Sequence, residues 1–270
     1  MARVAAQLTN FTAGELSPRL DGRNDLSKYP AGCKTLENIV IYPHGAAARR
    51  PGTQFISEVK TNTAKTRLIP FEFSTTQTYV LEFGNQYMRV YKDKGRVETS
   101  PGTAFEISTP YLTAELFDIK FAQSADVMYL THPSHPTKKL SRTGHTAWTL
   151  TTVDFTNGPF LDSNISTTTL QPSGTSGSVT ITASASTFVS TDVDRLVRIG
   201  DGIAKITNFG SATSVTATTS TNFANTNAVT DWSLGAFSNT TGHPSCVTFF
   251  EQRLVFAATL NNPQTIYFSK

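Results

Sequence analysis

Two runs decide the fold class of this chain: Thr78-Tyr79-Val80-Leu81-Glu82-Phe83 and Gln86-Tyr87-Met88-Arg89-Val90-Tyr91, joined by Gly84-Asn85. Both are rich in the β-branched and aromatic residues that fit the pleated, half-buried surface of a strand. A Gly-Asn pair between two such runs is typical of a tight hairpin turn. The sequence therefore predicts an antiparallel hairpin within an all-β fold.

Further strands follow on both sides of this hairpin. Residues 68–73 form a β-rich run that contains Pro70, which predicts an edge strand or a bulge because proline cannot donate to the ladder. A second turn is predicted at 92–95. Strands are predicted again at 126–131 and, after a proline-containing loop, at 138–142.

The unit at 126–142 has an echo near the end of the sequence, at 252–270. Each is a strand, a loop that ends at a proline (Pro136 or Pro263), and a strand that closes on Ser-Arg or Ser-Lys. Repeated short hairpins of one design are typical of β-propeller blades, which must be covered by their neighbours. The sequence predicts propeller-like packing of these hairpins, with a plain β-sandwich as the alternative.

A threonine- and serine-rich region, 151–240, separates the two similar hairpins. Threonine occupies 43 of the 270 positions, and it is densest here, where charges are few. Period-two alternation and turn residues at short intervals predict a small antiparallel sandwich or barrel rather than disorder. The predicted strands are 178–183, 196–199, 204–207 and 214–218.

Two short helices are also predicted. The helical spacing of Leu112, Leu116 and Ile119 indicates one over residues 111–121. The other is placed over 26–38, although its internal proline and glycine argue against a continuous helix.

The beginning of the chain reads as an extended segment with β-rich runs at 39–42 and 54–56, and it needs a partner surface. The predicted organisation has four parts: an irregular N-terminal docking arm at 1–60, a propeller-like β-hairpin region at 61–150, a small Thr/Ser-rich β domain at 151–240, and a return to propeller-like strands at 241–270, where the sequence looks truncated.

Composition excludes several classes of protein. Charged residues make up 16%, below the roughly 25% of ordinary soluble domains, and threonine replaces them, which disfavours a helical protein or a coiled coil. No window approaches 18 continuous apolar residues, so no membrane-spanning helix is expected, and the first ten residues do not resemble a cleaved signal. A net charge of +3 is too weak and too scattered for a nucleic-acid groove.

Cysteines and basic residues give no strong functional signal. Cys33 and Cys246 lie far apart without metal-ligand spacing, so we expect free thiols rather than a disulfide or zinc site. The small basic clusters are interpreted as solvated surface: Arg49-Arg50, Lys138-Lys139, and the set Lys92, Lys94 and Arg96.

The strongest imidazole motif is His132-Pro133-Ser134-His135. No carboxylate lies close to it in sequence, and proline fixes the backbone beside each ring. We interpret it as a loop with surface histidines rather than a metal or catalytic site.

Acidic residues offer two weaker patterns. A calcium loop is one interpretation of Asp192, Asp194 and Asp201, but the other ligands of a twelve-residue loop are missing, so solvated turns are predicted. The strand residues Glu72, Glu82 and Glu251 alternate with apolar neighbours, which predicts a solvent-facing side rather than a glycosidase pair.

Two glycosylation sequons, at Asn10 and Asn164, are expected to carry no glycan. No catalytic, cofactor-binding or metal residue and no cofactor is predicted, and the chain is not expected to be an enzyme.

A resemblance is more informative than this chemistry. It rests on ordered runs across most of the chain: Asn10-Phe11-Thr12-Ala13-Gly14-Glu15-Leu16-Ser17-Pro18-Arg19-Leu20-Asp21-Gly22-Arg23, Gly32-Cys33-Lys34-Thr35-Leu36-Glu37-Asn38, Arg49-Arg50-Pro51-Gly52-Thr53, Gln123-Ser124-Ala125-Asp126-Val127-Met128-Tyr129-Leu130, Asp192-Val193-Asp194-Arg195-Leu196-Val197-Arg198-Ile199 and Gly242-His243-Pro244-Ser245-Cys246-Val247-Thr248-Phe249-Phe250-Glu251-Gln252-Arg253-Leu254. These runs resemble the tail nozzle (tail tubular protein B-like) family of short-tailed phages, the podoviruses. One departure is Asp194, where the resemblance leads us to expect glycine.

The resemblance implies a structural virion protein of the tail, assembled in the host cytoplasm. Members of this family form a ring, expected to be a homohexamer, around the channel for DNA ejection. The implied partners are the portal adaptor, tail fibres or spikes, and DNA in transient, non-specific passage. Members are longer, so the resemblance leads us to expect either an N-terminal fragment or a protein encoded in two parts.

Two other functions stay open at the level of sequence. One is a receptor- or glycan-binding tail attachment protein, an adhesin that binds host cells by itself. The other is a β-propeller glycan-degrading enzyme, which would need a cleft with paired carboxylates.

Overall fold

The computed structural model describes residues 7–269, which fall into two units, one ending at Phe55 and the other beginning at Ile56. Met1–Ala6, in the predicted arm, and Lys270, in the C-terminal echo, lie outside the described residues. The structure is nearly all β, as predicted, with 45% strand and 3% helix.

The first unit contains short elements only: β1 (Gly14–Glu15), β2 (Gly32–Cys33), β3 (Ile39–Ile41), β4 (Ala47–Arg49) and the 3-10 helices Pro18–Leu20 and Tyr29–Ala31. Strands β1 and β2 pair in parallel, and β3 and β4 form a hairpin. Gly32 lets β2 approach closely, because a Cβ there would lie 2.5 Å from the Leu16 side chain. Between residues 7 and 55 only Gly45 is buried.

The strand predicted at 39–42 is confirmed as β3, but two other predictions in this part of the chain are wrong. No helix covers 26–38: a single 3-10 turn is centred on Pro30, and Gly32 already belongs to β2, since proline and glycine so close together prevent a longer helix. No strand forms at 54–56, where the described backbone has no strand partner.

The second unit contains all the remaining elements. Its strands are β5 (Arg67–Glu72), β6 (Thr78–Gly84), β7 (Tyr87–Lys92), β8 (Gly95–Arg96), β9 (Glu98–Ser100), β10 (Thr103–Ala104), β11 (Glu106–Ser108), β12 (Lys120–Ser124), β13 (Val127–His132), β14 (His135–Gly144), β15 (Ala147–Thr152), β16 (Leu170–Pro172), β17 (Ser178–Ala183), β18 (Leu196–Ile199), β19 (Gly202–Ser211), β20 (Ser214–Thr221), β21 (Trp232–Leu234), β22 (Cys246–Phe250), β23 (Arg253–Ala257) and β24 (Ile266–Phe268), with one 3-10 helix, Ser190–Asp192.

The predicted hairpin is confirmed as β6 and β7, the centre of a first antiparallel meander of order β11-β7-β6-β5, with β8 also paired to β7. Its turn lies one residue later than predicted, on Asn85-Gln86, where Gln86 takes φ 61°. The predicted turn at 92–95 is also confirmed. Asp93 and Lys94 both have positive φ, as a two-residue hairpin loop requires.

A second meander, β12-β13-β14-β15, packs against the first. Trp148 of β15 lies between Phe71 of β5 and Tyr79 of β6. Its ring centroid is 4.8 Å from that of Phe71 and 5.3 Å from that of Tyr79, and its ring is nearly perpendicular to both. Met128 and Leu130 of β13 are fully buried in the same core. Alternate residues of β6 and β13 therefore form one core between the two sheets.

The connection between these meanders corrects another prediction. Residues 113–118 form successive turns instead of a helix over 111–121. Leu116 and Ile119 are buried, and Arg67 holds the turn by donating from Nη1 to both of their carbonyl oxygens, at 2.7 and 2.6 Å. Leu112 is 47% exposed, so the apolar spacing marks anchor points of a loop rather than one face of a helix.

The C-terminal echo is part of a third meander, β22-β23-β24. Strand β22 lies beside β12 and β13, and Phe249 contacts Tyr129, whose side chain projects from β13 away from the first core. The third meander therefore covers part of the second meander's other face, beside β12 and β13. In the earlier hairpin the turn is only Pro133-Ser134, so Pro136 lies inside β14 and not at the end of a loop as predicted. The propeller arrangement of these meanders stays a prediction.

Between the second and third meanders lies a six-stranded antiparallel sheet of order β16-β17-β20-β19-β18-β21. The strands predicted at 178–183 and 196–199 are confirmed, and those at 204–207 and 214–218 lie within β19 and β20. Leu170 of β16 bridges Val229, just before β21, so the two edges of the sheet are tied together and the sheet curls. It encloses its own core, which includes Ile181, Ile206 and Ala217.

Leu81→Ala should lower the free energy of unfolding by about 2–5 kcal/mol, because it leaves a cavity in the core between the first two meanders. Leu68→Ala is the matched control on the neighbouring strand, where the side chain is 62% exposed, and it should cost less than about 1 kcal/mol. Urea unfolding measures both values. Equal losses would contradict this location of the core.

Candidate functional site

The tight turn between β13 and β14 carries the His132-Pro133-Ser134-His135 motif. The interpretation of these histidines as surface residues is wrong: His132 is 3% exposed and His135 is partly buried. The backbone N–H of His243 donates to the Pro133 carbonyl at 3.1 Å and brings a third imidazole to the same place.

The three imidazoles, with Tyr111 and Glu115, form what we call the histidine cluster. The rings of His132 and His135 have centroids 5.0 Å apart, and Tyr111 is perpendicular to His135 at 5.4 Å. His135 Nε2 lies 2.9 Å from a Glu115 carboxylate oxygen. The carboxylate that the motif lacks in sequence is thus supplied by the loop before β12.

Burial and mutual repulsion set the charge of this cluster. Burial, aided by His135, lowers the pKa of His243 to about 4. Burial and His135 also lower the pKa of His132. Burial alone would raise the pKa of Glu115, but the N–H of Leu112 and the imidazole of His135 outweigh it and lower that pKa. His132 and His243 are therefore neutral near pH 7.

Two polar atoms of the histidine cluster are buried without a hydrogen-bond partner among the described residues, Nε2 of His132 and the hydroxyl of Tyr111. His243 itself is held by Asn239, whose Oδ1 lies 2.9 Å from its Nε2. Both residues also line a cavity of about 260 Å³, together with Asp154 and Lys205. Chemically, the cluster can gain protons on acidification.

Another part of the wall of the same cavity carries charges of both signs. Lys205 Nζ lies 3.2 Å from Asp154 and 3.7 Å from Asp194. All three side chains are more than one-third exposed, so these pairs are solvated. Within residues 7–269 no group of three or more His, Cys, Asp or Glu side chains is arranged to hold a metal ion.

His243→Gln should make stability less dependent on pH. The unfolded imidazole titrates near 6.5 and the folded one near 4, so below pH 6.5 the unfolded chain binds more protons and the folded state loses stability as pH falls toward 4. Glutamine does not titrate, so up to about 3 kcal/mol of this loss should disappear.

Urea unfolding between pH 7 and pH 4 measures this change, with His44→Gln as the matched control, since His44 is exposed. The control should follow the wild-type curve. Parallel curves for His243→Gln and the wild type would contradict the role assigned to burial.

The aspartates considered for calcium separate into different roles. The prediction of solvated turns is wrong for Asp192, which is 1% exposed, and it is confirmed for Asp194 and Asp201. Asp194 takes φ 70°, the left-handed conformation that glycine favours.

Asp192 is part of a fully bonded ion pair. Its Oδ1 accepts from Arg195 Nη1 at 2.8 Å and from Thr240 Oγ1 at 2.7 Å, and its Oδ2 accepts from the Val189 N–H. Arg195 Nε donates to the Gly235 carbonyl. The pair thus fastens the start of β18 to the segment that returns toward the third meander.

Asp192→Asn should destabilise the fold by about 3–5 kcal/mol, because it leaves the Arg195 charge buried without its counter-ion. Asp194→Asn is the control: its side chain is 81% exposed and the change should stay within about 0.5 kcal/mol. Thermal and urea unfolding measure both. A neutral effect of Asp192→Asn would show that the pair does not hold the return segment.

The glutamates considered as a glycosidase pair do not come together as one site. Glu72 and Glu251 are exposed, as predicted, but the prediction for Glu82 is wrong. Glu82 is 1% exposed and accepts from the hydroxyls of Tyr87 and Tyr91 at 2.6 and 2.5 Å. Burial, with the Glu82 charge, raises the pKa of Tyr91 to about 12, so the tyrosines stay protonated donors.

The remaining sequence candidates lie apart. Cys33 and Cys246 are free thiols, as predicted. Lys138 Nζ donates to Thr152 Oγ1 across neighbouring strands at 2.7 Å, and Arg50 Nε donates to Asn38. Asn164 uses its side-chain amide to hold three carbonyl oxygens of the curled sheet's loops.

Sequence reasoning missed Glu115 and His243. They lie 20 and 108 positions from His135 along the chain; Glu115 belongs to no motif, and His243 lies in the run 242–254, which carries the resemblance but no site chemistry. Only the loop before β12 and the return into β22 bring them to the turn, so no local pattern signals them.

Comparison with known proteins gives no family: no protein-family model matches the chain, and no curated protein matches it. None of the helices that the structure describes has the length and apolar character needed to cross a bilayer.

Proposed function

We propose that this protein is a structural subunit of a short phage tail, a ring-forming nozzle protein that surrounds the DNA-ejection channel and docks on the portal adaptor. The ring is a homohexamer located in the virion tail, it assembles in the host cytoplasm, and it also carries tail fibres or spikes. In this role the chain is not an enzyme and needs no cofactor.

The observation that carries the proposal is the exposure of the first unit. Within residues 7–55 Gly45 is the only buried residue, and every other residue is at least partly exposed. The backbone there nevertheless forms defined strands and turns. Ile39, Val40 and Tyr42 are each 40–45% exposed on or beside β3. A unit that orders its backbone without burying apolar groups is suited to bury them against a partner.

The resemblance to nozzle proteins supports the same assignment, since three of its six runs, 10–23, 32–38 and 49–53, fall in this unit and the first of them is the longest. The weak net charge of +3 also fits a channel protein, because DNA must pass without being held by many phosphate contacts.

Val40→Asp should abolish docking to the portal adaptor and leave the fold intact. The side chain is 42% exposed, so the melting temperature should change by no more than about 2 °C, whereas a charge placed in an apolar interface opposes binding. Negative-stain electron microscopy of the protein mixed with its adaptor should show rings for the wild type and none for the variant.

Val189→Asp is the matched control, because Val189 is 45% exposed but lies in the second unit. Its rings should persist. A wild-type chain that stays monomeric and ignores the adaptor contradicts the tail-ring proposal, and one that binds host cells by itself favours an adhesin.

A further inference from the structure

One short loop is attached to three parts of the second unit. Residues 236–243, which we call the return loop, lead from the curled sheet to β22. Hydrogen bonds of 2.7 to 3.2 Å attach the loop to the curled sheet, to the third meander and to the second meander, in that order: Thr240 to Asp192, Thr241 to Asn261, and His243 to Pro133. The return loop therefore fastens these parts to one another.

The return loop also holds its own shape. Thr241 Oγ1 donates to the Ala236 carbonyl at 2.6 Å, and Ser238 Oγ accepts from the N–H groups of Thr240 and Thr241 at 3.1 and 3.0 Å. The Ser238 N–H in turn donates to the Gly242 carbonyl. Because these bonds lie within the loop, it can lose one attachment and keep its conformation.

The attachment to the second meander depends on a buried neutral imidazole. His243 is 8% exposed, and its Nε2 lies 2.9 Å from Oδ1 of Asn239. An amide oxygen only accepts, so Nε2 carries the proton of the neutral ring. Within residues 7–269 Nδ1 has no hydrogen-bond partner, so a second proton would create a buried charge on a nitrogen without an acceptor.

Ionisable groups face His243 from two sides. The second meander and the loop before it supply His132, His135, Tyr111 and Glu115, and the cavity wall supplies Asp154, Asp194 and Lys205. Glu115 is engaged by His135, and both aspartates lie beside Lys205 in solvent. Burial, aided by His135, accordingly lowers the pKa of His243 to about 4.

The cores on either side of the return loop are separate. The first two meanders share one core, and the curled sheet encloses another. Among the described residues, neither core includes a side chain from 236–243. Release of the loop from the second meander therefore leaves the apolar contacts of both cores in place.

We propose that the return loop is an acid-released clasp. A proton on His243 detaches the loop from the β13–β14 turn, while both cores stay folded and Thr240 keeps its bond to Asp192. Opening of the clasp is a property of a single chain, so it goes beyond the proposed tail function and does not depend on it.

Native-state hydrogen exchange of the full chain tests the clasp at one amide. The His243 N–H is exposed only when its bond to Pro133 opens, and the ring then titrates near 6.5 instead of about 4. Linkage predicts that the open fraction rises about thirtyfold between pH 7.5 and pH 5. The protection factor of this amide, corrected for intrinsic exchange, should fall by the same factor.

Urea separates local opening from global unfolding. The Ile206 amide donates to the Arg195 carbonyl within the curled sheet and serves as the reference. Sub-denaturing urea should lower the protection factor of Ile206 steeply and that of His243 very little, because opening of the loop exposes little surface. Equal urea slopes, or a His243 amide that is equally protected at both pH values, overturn the proposal.

Two substitutions assign the proton. His243→Gln keeps the backbone N–H and cannot titrate, so the fall in protection at position 243 should drop from about thirtyfold to less than about twofold. His44→Gln, at an exposed position, should retain the wild-type fall. A pH dependence that persists in His243→Gln but disappears in His132→Gln overturns the proposal, and if His243→Gln does not fold, the wild-type urea and pH measurements decide.

Discussion

The core that the meander β12–β15 shares with the first meander is the constraint on which the second unit depends. Strand residues alternate between faces, so Met128 and Leu130 point into the core shared with the first meander while Tyr129 points the other way, to Phe249. The first meander covers one face, and the third packs against part of the other face, beside β12 and β13, although more than 90 residues separate the second meander from the third.

The curled sheet is inserted along the chain between β15 and β22, and it has a core of its own, so polar contacts rather than a continuous core fasten its return segment. The Asp192–Arg195 pair holds the return segment through Gly235 and Thr240, and His243 then closes over the β13–β14 turn. The stability of both contacts depends on their burial. Removing one partner of a buried ion pair leaves an unpaired charge away from water, and protonating a buried imidazole creates a charge there, so either change destabilises the fold. Electrostatics thus connect the insertion to the stacked meanders.

The surfaces left open are as informative as the cores. Within residues 7–269 the first unit is ordered but almost unburied, and the backbone of the segment 52–56 has no hydrogen-bond partner. Open edges in a monomer invite association, and natural proteins usually shield them. These open surfaces support the proposed role as a subunit of a larger assembly.

Local pattern by itself determined several strands of this protein. Alternation at 178–183 and the paired runs at 78–91 predicted β17, β6 and β7, because a period of two is a property of neighbouring residues. Only the tertiary structure decided which polar residues are buried. Glu82, Asp192 and His132 are all predicted to face solvent, and all three are buried. Side chains opposite or far along the chain supply hydrogen bonds to Glu82 and Asp192, whereas the rings of Tyr111 and His135 pack beside His132. Local sequence determines which way a strand residue points, but what lies opposite it depends on residues far along the chain.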